Sequence, residues 1–296
     1  MADEANERIV YVNGEFVPES AARISVFDRG FLFADAVYEV TSVLRGQLVE
    51  NAPHLARLER SLSELKMTLP AVIVANGGLA GVEAVQRELV ERNALEEGVV
   101  YLQVSRGTAD RDFGFPAGSD PTLVMFTQQK SIIDSAAARN GIAVKTVDDI
   151  RWMRRDIKTV QLLAASLAKQ AAMEEGFDDA WVCDGEIVNE ASSANAYIVQ
   201  DDGTIVTRHL GNEILHGITR AAVLKLCETH GYRVEERPFT VEEAYAAREA
   251  FITSASSFVY PVVRINDRVL GNGVPGPVAA ELRKIYIDTA LASLDA

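Results

Sequence analysis

Residues 154–163 read RRDIKTVQLL. A lysine, Lys158, stands at the entrance to an apolar segment, in a chain whose arginines outnumber its lysines by about three to one. Either residue supplies surface charge. Lysine differs in one respect: its amine can shed a proton near neutral pH and act as a nucleophile, whereas a guanidinium stays protonated. Read alone, Lys158 also fits a strand-end lysine with its head in water. What else the chain contains decides between the two.

At 296 residues the chain can bury a large core in one or two domains. Its composition, 48% hydrophobic, 24% charged and 7% aromatic, is that of a soluble globular protein. No run approaches the about 20 apolar residues of a membrane span. The opening MADEANER is acidic and has neither an apolar signal core nor transit-peptide character, so a cytoplasmic address is expected. Cys183 and Cys227 lie far apart without CxxC spacing, which argues against a disulfide framework or a zinc site. A net charge of −14 argues against broad nucleic-acid binding and against anionic membrane surfaces. Local arginines can still form a positive pocket for a small anion.

Outward from Lys158, VQLLAASLAKQAAMEEG (160–176) reads as a long helix ending at Gly176. Before it, IVYVNGEFV (9–17) is a hairpin around Asn13-Gly14, and AVYEVTSVLRGQLVE (36–50) a strand pair turning near Gly46. HLARLERSLSELKMTL (54–69) has leucines at helical spacing, VEAVQRELVERNAL (82–95) is a second helix, and VVYLQVSRG and PTLVMFTQQ are strands. After about residue 130 come the strand GIAVKTVDDI, several strands with Asp-Gly turns over 178–208, and the helix ITRAAVLKLCETHG. A helix and strand in PFTVEEAYAAREAFITSAS and a closing helix complete the chain. The expected class is α+β, mostly antiparallel: a smaller N-terminal domain over 1–127, a linker at 128–134 and a larger C-terminal domain over 135–296.

Several chemistries lack support. There is no Walker loop, GxGxxG or GxSxG, and the histidines at 54, 209, 216 and 230 match no metal-ligand spacing, so no metal is expected. Four weaker signals remain: Lys158; HGITR (216–220), whose helix start suits an anion; VNEASSAN (188–195), with Glu190 where a strand gives way to a turn; and FITSASS (251–257), an apolar strand running into hydroxyls. Each also has a plain reading as a solvated turn or helix entry. Together they supply an amine, a carboxylate and two phosphate-binding segments, the inventory that pyridoxal 5'-phosphate requires.

The wording and order of six segments carry a resemblance: DRGFLFADAVYEV (28–40), HLARLERS (54–61), DIRWMRRDIKTVQLLAASLAKQ (149–170), VNEASSAN, ILHGITR (214–220) and FITSASSFVYPVVRI (251–265). From about residue 9 to 275 the chain resembles the fold type IV pyridoxal-phosphate enzymes, and among them the D-amino acid aminotransferases. That resemblance implies a two-domain fold type IV architecture, usually homodimeric, with a loop of each chain completing its neighbour's site. It implies that Lys158 bonds the cofactor and shuttles the proton between substrate Cα and cofactor C4′, and that Glu190 holds the pyridine nitrogen. It places Arg57, Ile218 and Thr219 at the phosphate and Leu215 under the ring. Ala255 stands where the family often has threonine, leaving only its N–H, with Ser254 or Ser256 to supply the hydroxyl.

The family holds the substrate carboxylate with a tyrosine, an arginine and a histidine. Arg111 matches the arginine, but Phe31 and Phe113 stand at the other two positions. Val40 and Ser42 are further substrate-binding candidates, and Thr41-Ser42 replaces a lysine common in bacterial D-amino acid enzymes, a feature more like (R)-selective amine transaminases. The expected reaction exchanges an amino group between a D-amino acid and a 2-oxo acid such as 2-oxoglutarate or pyruvate, by a ping-pong route. An (R)-selective amine transaminase is the alternative. An aminodeoxychorismate lyase-like enzyme and a branched-chain aminotransferase are weaker ones, and a non-catalytic binding protein is disfavoured by the presence of Lys158, Glu190 and Arg57 together.

Overall fold

A computed structural model describes residues 7–295 of the chain. They form two compact units. One is the chain up to Ser131 together with Ile157–Gln161; the other is Ile132–Asp156 together with the chain from Leu162 on. Lys158 therefore belongs with the first unit, although it follows the 128–134 stretch by more than twenty residues.

The first unit is built on a six-stranded antiparallel sheet. Its strands are β1 (Ile9–Val12), β2 (Glu15–Pro18), β3 (Ala36–Leu44), β4 (Gln47–Leu48), β5 (Glu97–Ser105) and β6 (Thr122–Gln129), in the order β2-β1-β6-β5-β3-β4. The hairpin between β1 and β2 forms because Asn13 and Gly14 both take positive φ, 48° and 106°, as a two-residue turn matched to strand twist requires. Four helices belong to this unit: α1 (Arg29–Phe33), α2 (Asn51–Glu64), α3 (Ala71–Ala75) and α4 (Leu79–Arg92). Short α1 and α3 have too few turns to leave a periodic signal and are absent from the sequence reading.

Helix α2 begins and ends earlier than the 54–69 leucine spacing suggests. Leu55, Leu58 and Leu62 are buried, but Lys66 adopts a left-handed φ of 53° and Pro70 disfavours helical geometry at Leu69. Val43 and Leu48 pack with Val90, Leu95 and Val100 to join the sheet to α4.

The second unit contains a ten-stranded mixed sheet. Its strands are β7 (Ile142–Asp148), β8 (Asp179–Asp184), β9 (Ile187–Ala191), β10 (Asn195–Val199), β11 (Ile205–Thr207), β12 (Val234–Glu236), β13 (Phe239–Thr240), β14 (Glu249–Ser254), β15 (Phe258–Ile265) and β16 (Arg268–Val269). The order is β12-β11-β10-β14-β15-β7-β8-β9-β13, with β16 on β15. Pairs β11/β12, β7/β15 and β7/β8 are parallel; the others are antiparallel. Trp181, Phe239, Ile252 and Val262 lie in its largest core. The helices are α5 (Ala136–Asn140), α6 (Leu163–Glu174), α7 (Ile218–Thr229), α8 (Val241–Ala246) and α9 (Pro277–Leu294).

Helix α6 starts at Leu163, not Val160, because the preceding residues are committed elsewhere: the Val160 N–H donates to the Ala36 carbonyl at 3.1 Å. Both units mix helices with mainly antiparallel sheet, the α+β class read from the sequence. Among the described residues, no helix is long and apolar enough to cross a membrane.

Candidate active site

In the first unit, Lys158 is held by its backbone against the start of β3. Its carbonyl accepts the Tyr38 N–H at 3.0 Å, and Thr159 bridges Val37. The Lys158 Nζ lies 4.1 Å from the centre of the Tyr38 ring. Tyr38 stacks on Tyr101, and Tyr101 on Phe126, so the amine heads an aromatic ladder across β3, β5 and β6. An aromatic face attracts a cation and gives the flexible stem a defined position. Burial pushes the Tyr101 phenol upward, with Tyr38 adding to the effect, so it stays neutral and donates to Gln103 at 2.8 Å.

Strand alternation sorts the β3 candidates. Tyr38, Val40 and Ser42 share one face; Glu39 and Thr41 share the other. Thr41 is fully buried and donates to Asn51, so it does not share the Tyr38 face with Val40 and Ser42. Glu39 is the charged residue within a mainly apolar strand. It accepts from Arg57 Nε and Nη2, both at 2.8 Å, and pairs with His54 Nδ1 at 2.7 Å. Burial opposes ionisation of Glu39, but the charge and hydrogen bonds of Arg57, helped by His54, bring its pKa down to about 2. Arg57 is thus buried and ion-paired, not solvated. The fork to Glu39 uses the Nε and Nη2 donors of the Arg57 guanidinium.

Phe31 and Phe113 are highly exposed, 75% and 78%. Arg111 lies 5.5 Å from the Phe33 ring centre and 5.7 Å from that of Phe113. The loop is fastened by Arg29, which donates to the Asp112 carbonyl at 2.6 Å and pairs with Asp35 at 2.8 Å. Arg106 braces the same Asp35 through two further hydrogen bonds.

In the second unit, Glu190 is buried near the end of β9. Arg151 Nη1 donates to it at 2.5 Å, Asn195 Nδ2 at 3.0 Å, and the Leu215 N–H at 3.1 and 3.3 Å to its two oxygens. Burial pushes the Glu190 carboxyl upward; Arg151 and the Leu215 N–H oppose that push. Burial also works against the Arg151 charge, but Asp149 and Glu190 outweigh it and raise its pKa, so the cation persists beside Glu190. A carboxylate offers about four acceptor positions. Three protein donors make four contacts here, but the Leu215 N–H is a single proton shared between the two oxygens, so three donated protons meet four positions and the N–H of a protonated pyridine fits as the fourth.

Leu215 leads into α7, whose first residues are Ile218 and Thr219 and whose N-terminus has no side-chain cap. This is donor chemistry suited to a phosphate. A Cβ on Gly217 would lie 2.1 Å from Oδ1 of Asn195, whose amide is held by Glu190 and the Leu215 carbonyl, so glycine suits that position. At the β14–β15 turn, Ser254 Oγ lies 2.7 Å from Ser257 Oγ and 3.5 Å from Ser256 Oγ, flanking Ala255. The residues present therefore fit pyridoxal 5'-phosphate by donor type: an amine, a ring-nitrogen acceptor and phosphate donors. Among the described residues, no group of three or more His, Cys, Asp or Glu is placed to hold a metal ion.

The sequence reading does not single out Tyr38, Glu39, His54, Arg151 or Asn195. Glu39 is the detectable one, since a charge inside an apolar strand needs a partner.

A family model for amino-transferase class IV matches residues 36–265. The chain belongs to the class IV aminotransferases. Aminotransferases of this class use pyridoxal 5'-phosphate, and the donor set above accords with that. This aminotransferase is 36% identical to the D-alanine aminotransferase of Staphylococcus aureus over 276 residues, 93% of this chain and 95% of that one. It is 36% identical to the D-alanine aminotransferase of Bacillus licheniformis over 285 residues, 96% and 97% of the two chains. Among solved structures, the branched-chain amino acid aminotransferase from the archaeon Thermoproteus uzoniensis, with norvaline, superposes with TM-score 0.85 at 23% identity, covering 96% of this chain and 95% of that one. The Escherichia coli branched-chain enzyme gives TM-score 0.88 at 20% identity, with 96% and 95% covered. Both are likenesses of fold.

Proposed function

We propose that this aminotransferase moves an amino group between a D-amino acid and a 2-oxo acid such as 2-oxoglutarate or pyruvate, by a ping-pong route. The observation that carries the reading is the nearly full-length match to D-alanine aminotransferases. Pyridoxal 5'-phosphate supplies, when bound, a carbonyl for the amine and a ring that accepts the electron pair left at Cα.

In this reading Lys158 provides the amine that bonds the cofactor and moves the proton at Cα. Its backbone carbonyl accepts the Tyr38 N–H, which anchors the base of that side chain. Glu190 accepts the ring N–H and keeps the ring nitrogen protonated. Arg57, the N–H groups of Ile218 and Thr219, the Ala255 N–H and the hydroxyls of Ser254 and Ser256 take the phosphate. Leu215 packs under the ring. Arg111 takes a substrate carboxylate, with Phe31, Phe113, Val40 and Ser42 shaping the space for the rest of the substrate.

We further propose a homodimer, a use for the exposed loop that carries Arg111 and Phe113. The smaller domain spans 1–127, the linker 128–134 and the larger, cofactor-binding domain 135–296. A cytoplasmic location accords with two buried, unpaired cysteines.

The second reading, an (R)-selective amine transaminase, is favoured by the apolar rings of Phe31 and Phe113 on the α1 and Arg111 segments. A donor panel of D-alanine, L-alanine, L-leucine and (R)-1-phenylethylamine with 2-oxoglutarate tests both. Fastest turnover of D-alanine is the expected result. Turnover of the aryl amine alone establishes the second reading, L-leucine preference a branched-chain enzyme, and pyruvate release from aminodeoxychorismate without an acceptor a lyase.

A further inference from the structure

We infer that Asp149 is a positioning residue: it grips the bidentate edge of Arg151, so that Glu190 receives a single Arg151 hydrogen bond and keeps an acceptor position for the cofactor's ring nitrogen. The inference rests on the reading that Glu190 faces that nitrogen.

Asp149 follows β7, and its N–H donates to the Cys183 carbonyl on β8 at 2.8 Å. Its side chain is fully buried, and Arg151 Nε and Nη2 donate to its two oxygens at 2.9 and 2.7 Å. The Arg151 N–H adds a bond at 3.1 Å and Asn189 Nδ2 one at 2.9 Å, while Arg155 Nε lies 3.5 Å away. Arg155 is itself tied through its N–H to the Asn212 carbonyl, three residues before Leu215. Burial works against Asp149's charge, yet the Arg151 and Asn189 bonds win and lower its pKa.

Arginine and carboxylate prefer the two-point fork, and here Asp149 has it while Glu190 has only the Nη1 contact. The cluster contains two carboxylates and two guanidiniums, so its formal charge balances. Without Asp149, two cations would face one carboxylate. Arg151 would be free to fork onto Glu190 and occupy the acceptor position that the ring N–H needs.

The test compares binding of pyridoxal 5'-phosphate with that of its 1-deaza analogue, in which C–H replaces the ring nitrogen. Titration calorimetry on the apoprotein gives the affinity ratio. The unaltered protein should prefer the nitrogen-bearing ring. Asp149→Asn should reduce that preference about tenfold, whereas a merely structural role would weaken both ligands alike. Asp149→Asn/Arg155→Gln keeps the charge balance while removing the grip, so it should show the same loss and serves also if the single variant fails to fold. An unchanged ratio in both, or a loss confined to the single variant, overturns the inference. Glu190→Gln separates the layers: if it retains the preference, the reading of Glu190 itself is wrong; if it loses the preference while the Asp149 variants retain it, only the role of Asp149 falls.

Discussion

Glu39 and Arg57 are joined by two hydrogen bonds of 2.8 Å in a buried setting, with His54 on the same carboxylate. A strand residue thereby fixes a helix residue that the family pattern assigns to the cofactor phosphate. The pair has consequences for stability as well as for binding.

The first expectation concerns acid. The Glu39 pKa is lowered from 4.5 to about 2, so its contribution to stability is fully present above the unfolded value. That contribution falls away as pH drops through the window between the two values. It amounts to on the order of 3 kcal/mol at neutral pH. Denaturant unfolding should show Glu39→Gln less stable by about that amount near neutrality, with the gap closing towards pH of about 2. A gap independent of pH would contradict the pairing.

Lys158→Ala should reduce amino transfer by at least about a thousandfold while keeping the fold, because the Lys158–Tyr38 bond is made by backbone atoms. Lys158→Arg should be equally inactive, since a guanidinium cannot give up its proton. Stopped-assay turnover, circular dichroism and borohydride trapping with peptide mapping check this. Undiminished turnover by Lys158→Ala would refute the assignment.

Arg111→Ala should raise KM for the 2-oxo acid by about tenfold to a hundredfold, with a smaller change in kcat. Conversely, Phe113→His adds a polar group on the segment of Arg111 and should shift preference from (R)-1-phenylethylamine towards D-alanine. Steady-state kinetics on both donors measures each shift, and no change in either variant would remove Arg111 and Phe113 from substrate recognition.

Away from the site, the buried Glu249 carboxylate accepts the Val278 and Ala279 N–H groups at 3.2 and 3.1 Å, capping the start of α9. Glu249→Ala should cost about 1–2 kcal/mol through the lost cap. Thermal melting should reveal a stability loss with donor preference unchanged; an unaltered melt would mean the cap contributes nothing.

The chain's local chemistry alone specified much of this protein. Asn13-Gly14 dictated a hairpin, the spacing of Leu55, Leu58 and Leu62 dictated a buried helix face, and the segments around Lys158 and Glu190 marked the family. These are short-range properties: turn dihedrals, side-chain periodicity and residue types at fixed spacing. Pairing over distance was decided only in the folded chain. Which arginines meet Glu39 or Glu190, why Tyr38 lies under the Lys158 amine, and why α6 begins at Leu163 all depend on which strands and segments become neighbours. Many arginines are equivalent as letters in a sequence. Burial makes one of them specific, because a carboxylate removed from water must have a partner within hydrogen-bond reach.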